Sequence, residues 1–143
     1  MSTRFLLRNY IDSSALNANP PMHAGLPVVN VTKLSKSLVA RSQSSNAQEI
    51  TGILSDIREI NSFIICGHNF TEGTRYQLQL YYDHTLLSSS LVYDTGTLTV
   101  TSNQAVNGIN IINTLPIWLP TLYDNVASFK LTISNSLVYP LNY

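Results

Sequence analysis

The run from Arg75 to Tyr82 constrains the fold more than any other stretch. Tyr76, Leu78, Leu80 and Tyr82 alternate with Arg75, Gln77, Gln79 and Tyr81. A period of two is the signature of a β-strand that buries one face, since a helix would repeat its apolar positions every three or four residues. Just upstream lies a dense apolar run, Phe63-Ile64-Ile65-Cys66, which suits a strand buried on both faces. Gly67-His68-Asn69 and Thr71-Glu72-Gly73 separate the two. The whole stretch from Ile60 to Asp94 therefore reads as a central β-hairpin, with Gly67, His68 and Asn69 as the structural turn that aims its strands.

The remaining strand candidates are short and separated by turn residues. They are Leu26–Val31, Leu38–Arg41, Ile50–Leu54 with Gly52 inside it, Leu91–Tyr93, Leu98–Thr101, Ile109–Ile112, Phe129–Ile133 and Leu137–Tyr139. A glycine within a strand implies a bulge or a close approach of another group. Pro116 and Pro120 bracket Ile117-Trp118-Leu119, which predicts a rigid loop in which Trp118, the only tryptophan, is either a core plug or an exposed aromatic. Short strands with no convincing long helix define an all-β fold, a sandwich or barrel. Met1–Leu26 shows no sustained period, and Pro20-Pro21 excludes a helix interior or a central strand. It is expected to be an N-terminal arm or extended connector, packed on its own domain or on a neighbour, with residues 27–143 forming the domain proper.

Composition fits this class. Charged residues are only 11% of the chain, and its polarity comes from 17 Ser, 14 Asn and 13 Thr. Such side chains satisfy turn backbone locally. With eight basic and eight acidic residues the formal charge is zero. No basic patch stands out, so nucleic acid is not an expected partner. A neutral surface does little to keep copies apart, which makes a homo-oligomer plausible. One cysteine, Cys66, excludes an intrachain disulfide and a thiolate zinc cluster. The opening MSTRFLLRNYIDSS lacks the apolar core of a secretory signal, and no run is long enough to span a membrane. Synthesis and folding in a cytoplasm are expected.

Catalytic constellations are missing. His23, His68 and His84 lie at no metal-ligand spacing, no two carboxylates are paired by position, and there is no nucleophile elbow or phosphate-cradling loop. The expectation is a protein that is not an enzyme and carries no metal or cofactor. Two aromatic residues remain as candidate contacts with a glycan or a protein. Tyr81 lies on the polar face of its strand, and Trp118 sits between its prolines.

Three segments together resemble a known family. They are Ile60–Phe70 with its Gly67-His68-Asn69 turn, Arg75–Tyr81, and Leu91-Val92-Tyr93-Asp94-Thr95-Gly96. Leu26–Val31 and Ala40-Arg41-Ser42 add weaker matches upstream. The pattern is similar to the jelly-roll β-sandwich module of tailed-bacteriophage structural proteins, itself akin to galactose-binding-like, discoidin-type domains. No motif of that family is recognisable from Thr97 onward. The resemblance implies a virion protein associated with capsid or tail, acting in assembly or decoration beside other virion proteins. The alternative it leaves open is a carbohydrate-binding module that aids adsorption to a host-surface glycan.

Overall fold

The computed structural model describes residues 9–32, 47–66, 68, 70–101 and 114–135. The strand centred on the alternating run is β3, Thr74–Tyr81. Tyr76, Leu78 and Leu80 point inward at 5%, 0% and 0% exposure. Five more strands complete one antiparallel sheet: β1 (Ala15–Asn19), β2 (Gln48–Cys66), β4 (Leu91–Asp94), β5 (Leu98–Thr99) and β6 (Thr114–Asn135). The order is β1-β2-β6-β3-β4, with β5 paired to β3. Among the described residues there is no α-helix, only short 3-10 turns at Ile11–Ser13, Val28–Thr32 and Ser88–Ser90. The protein is all-β, with a β-sandwich fold.

The two long strands make the sandwich. Gln48–Ile53 of β2 pair with Ser128–Ile133 of β6, and Ser62–Cys66 pair with Thr114–Trp118. Between these regular halves the register shifts three times, at Ile53/Arg58, Arg58/Ile60 and Ile60/Ser62. Such irregularities bend a ribbon and sharpen its twist. A straight strand would carry Phe63 roughly 36 Å beyond Gly52, the cross-strand partner of Phe129. Instead the Phe63 and Phe129 rings meet edge to face with centroids 5.1 Å apart. The ribbon has therefore curled over, and its halves face each other across a core that includes Leu54, Leu78, Leu80, Leu115, Ile117, Val126 and Leu131.

Several expectations are corrected. The apolar run and the alternating strand do not form a hairpin, because β6 lies between β2 and β3. Alternation determines which face a strand buries; it says nothing about which strand lies alongside. Leu26–Val31 is not a strand: the amide of Asn30 donates to Pro27 O at 3.0 Å and Thr32 Oγ1 donates to Val29 O at 2.8 Å. These local bonds wind the segment into a 3-10 turn that leaves Val29 and Val31 exposed. Ile117-Trp118-Leu119 is not a loop but lies inside β6. Its prolines are accommodated because, among the described residues, that half of β6 is paired only to β2. The expected strands at Leu38–Arg41, Ile109–Ile112 and Leu137–Tyr139 lie outside the described residues, as do Gly67 and Asn69 of the expected turn.

Ala15–Asn19, in the expected arm, runs antiparallel to β2 as an edge strand, with Leu16 packed against the core. Just beyond it, Gln48 Nε2 donates to Pro20 O at 2.7 Å.

Candidate functional site

On the Thr114 half of β6, Leu115, Ile117 and Leu119 are buried, so Pro116 and Trp118 occupy the outer face. Trp118 lies opposite Ser62, and Pro116 opposite Ile64. By register Trp118 shares this face with Pro116, Ser62 and Ile64, and the Ser62 hydroxyl donates to Asn61 Oδ1 at 3.1 Å. Trp118 keeps 47% of its surface exposed. A strand flanked by two prolines holds the backbone under this ring nearly fixed, which lowers the entropic cost of stacking a ligand on it.

Tyr81 is placed differently. Its register partner is Ser128, which shows that it points to the outer face of the other layer, away from Trp118. Yet Tyr81 is only 2% exposed, while Tyr82, expected to be buried, is 47% exposed. The register slips between Leu80 and Tyr81 where β3 meets β4, and Ser128 Oγ donates to Asp83 O, so the chain folds back over this end of the sheet. The Tyr81 hydroxyl donates to Gln79 Oε1 at 3.3 Å, and Lys130 Nζ lies 5.9 Å from the ring centroid. Tyr81 offers no open ring to a ligand, and the structure does not bring it together with Trp118.

His68 is buried, stacked on Phe70 with centroids 4.6 Å apart. Its Nδ1 accepts the Phe70 amide at 3.1 Å, so the proton sits on Nε2, which has no hydrogen-bond partner among the described residues. Burial pushes its pKa below the usual histidine value, keeping the ring neutral. Buried and neutral, the ring is not presented as a base to solvent.

The outer face of the β1-β2-β6-β3-β4 layer carries features that no motif announced. Cross-strand register lines up Asn17, Thr51, Lys130, Gln79 and Asp94 in one row, and Asn19, Glu49, Thr132 and Gln77 in the next. Gln77 Nε2 donates to both Asp94 oxygens at 2.7 and 2.9 Å, Gln79 Nε2 donates to Oδ2 at 2.9 Å, and the Gly96 amide donates to Oδ1 at 2.7 Å. Partial burial alone would raise the Asp94 pKa. The bonds from Gln77, Gly96 and Gln79, with the Lys130 charge, outweigh it and hold the carboxyl below its ordinary range. The one sequence hint was two glutamines two residues apart on a polar strand face, but their shared carboxylate lies 15 residues away from the nearer.

Elsewhere a groove of about 220 Å³ opens between β1 and the turn at Val28, lined by Asn17, Pro21, Met22, His23, Pro27 and Val28 among others. Among the described residues no three His, Cys, Asp or Glu side chains gather to hold a metal ion, and no helix is long and apolar enough to cross a membrane. Asp56 is paired with Arg58 at 3.0 Å and Asp94 is saturated by its donors.

The fold is an all-β sandwich. The chain is similar in structure to chitosan-binding module 1 derived from a chitosanase/glucanase of Paenibacillus sp. IK-5. The TM-score is 0.60 at 15% identity, covering 93% of this chain and 90% of that one. A selenomethionine-labelled point mutant of the same module matches with a TM-score of 0.54 at 14% identity, covering 90% and 87%. No family model matches the sequence, and no curated protein does. At this identity the likeness shows the fold. It overturns the resemblance to tailed-bacteriophage structural proteins, since the fold is that of a carbohydrate-binding module. The assignment to a virion capsid or tail, which rested on that resemblance, falls with it. Short apolar and alternating strands recur in many sandwiches, so the matched segments reported the architecture and not the family.

Proposed function

We propose that this chain is a non-catalytic carbohydrate-binding module that holds polysaccharide on its Trp118 face. The observation that carries the reading is the half-exposed indole on a strand bracketed by two prolines, in a fold similar to a chitosan-binding module. A pyranose ring has an apolar face that stacks on an aromatic surface and hydroxyls that seek donors and acceptors at its rim. Trp118 with Pro116 and Ile64 supplies the first, and Ser62 supplies part of the second. An amino-sugar polymer such as chitosan is the first ligand to test.

The test is co-sedimentation with insoluble chitosan and with β-glucan, followed by titration with soluble oligomers. Trp118→Ala removes the platform without touching the core, and truncating a central aromatic anchor costs about 2 kcal/mol, roughly 30-fold in Kd. Failure of the unaltered chain to bind any polysaccharide overturns the reading. Binding that Trp118→Ala leaves unchanged moves it to another face.

A further inference from the structure

The opposite outer face has a chemistry of its own. Its rows are built from amides and hydroxyls, and its charges balance: Arg75 and Lys130 against Glu49 and Asp94. Among the described residues it offers no exposed aromatic anchor of the kind that dominates protein–protein contacts. What it offers is order. Asp94 takes the amide N–H groups of both Gln77 and Gln79, which settles the orientation of each amide and turns its oxygen away from the carboxylate. Gln79 Oε1 is met by the Tyr81 hydroxyl. Gln77 borders a cleft of about 40 Å³, lined also by Arg75, Tyr76, Thr97, Thr132 and Ser134. That space suits one hydroxyl or water.

We propose that this face is a second carbohydrate site, taking an uncharged, hydroxyl-rich polysaccharide chain across the strands, with one sugar hydroxyl seated in the cleft beside Gln77 and Thr132. The inference rests on the reading of the chain as a carbohydrate-binding module and adds a site and a ligand class to it. Three observations select the occupant. The face balances its charges, so it gains little from a charged polymer. Its donors and acceptors are held in place before binding, which spares the ordering cost that weakens polar recognition. Adjacent strands are about 4.8 Å apart, so a chain crossing them meets a new side chain at nearly each sugar unit. Asp94 acts here as a positioning residue, because its oxygens are occupied by the glutamines and Gly96.

The experiment uses the full chain carrying Trp118→Ala, so that the aromatic face is silent. It is titrated with a soluble glucose hexamer while side-chain amide resonances are followed by NMR. The expected result is saturable shifts of the Gln77 and Gln79 amides, with an affinity that stays within about twofold between low and high salt. Thr132→Val keeps the shape and removes the hydroxyl, and is expected to weaken binding by about tenfold. Arg75→Gln, at an exposed position outside the core, provides a second variant with an expected loss in the same direction. Binding of the hexamer only when Trp118 is present, or unaltered by Thr132→Val and Arg75→Gln, overturns this inference and leaves the module reading standing. Absence of any polysaccharide binding by the unaltered chain overturns both.

Discussion

Gly52 is the position where the sandwich tolerates least. It lies directly across from Phe129, and a Cβ built on it would overlap Cε1 and Cζ of that ring. The ring has little room to yield, since Phe129 is 2% exposed and packs edge to face on Phe63 from the opposite layer. Gly52→Ala therefore forces either the ring or the β2 backbone to shift. Overpacking of this kind costs about 1–3 kcal/mol. Against it stands a gain of about 0.4–1 kcal/mol from the stiffer unfolded chain. The expected net loss is about 1–2 kcal/mol, seen as a lower urea midpoint with an unchanged slope and a Tm lower by roughly 2–8 °C. Phe129→Leu in the Gly52→Ala background removes the clashing ring atoms. A double-mutant cycle is then expected to show a coupling of about 1 kcal/mol or more between the two sites. An alanine at position 52 that is neutral or stabilising, or a cycle with no coupling, refutes the packing argument.

Three other outcomes follow from the same structure. Because His68 titrates below 6.5 when folded and near 6.5 when unfolded, its contribution is fully present above that pH. It is lost as the pH falls from 6.5 toward the depressed folded value. Unfolding measured across this window is expected to show the loss, and His68→Gln to flatten it. Asp94 is likewise depressed, so its contribution disappears lower, as pH falls from the unfolded value of 3.8 through the folded one. Asp94→Asn is expected to cost about 1 kcal/mol at neutral pH, after solvent screening of a half-buried network, and to remove that lower window. Tyr81→Ala is expected to cost about 3–5 kcal/mol by thermal melt and Tyr82→Ala under about 1 kcal/mol, the reverse of what uninterrupted alternation requires.

The layer facing the core was legible because burial writes itself into local periodicity. Tyr76, Leu78 and Leu80 declare one face of β3, and Phe129, Leu131 and Ile133 declare one face of β6. The pairing was not legible. Thr51 meets Lys130, and Gln79 meets the same lysine from the other side, across sequence separations that leave no local trace. The length of β2 was hidden by Asp56–Glu59, whose charged residues read as a link between two strands but fall where the ribbon bulges and keeps going. Trp118 was identified by its rarity and its prolines, yet the prolines argued for a loop because a strand paired on both sides would reject them. Tyr81 was assigned the correct face and the wrong exposure, since only the chain returning through Asp83 closes that end of the sheet.

The curled ribbon also explains why two dissimilar surfaces coexist on a chain of this size. When a single ribbon supplies both layers, each half turns one face inward and leaves the other free, and the free faces point in opposite directions. The β3 side can carry two polar rows because β2, β6 and β3 are paired there on both flanks, so their backbone is satisfied by neighbouring strands without hydrophobic cover. The Thr114 half of β6, with a described partner on one flank only, admits prolines and a broad indole that a doubly paired strand would accommodate less easily. If both faces take carbohydrate, one module can hold two chains at once. The unaltered protein would then cross-link soluble polysaccharide, whereas Trp118→Ala would bind it without raising its viscosity.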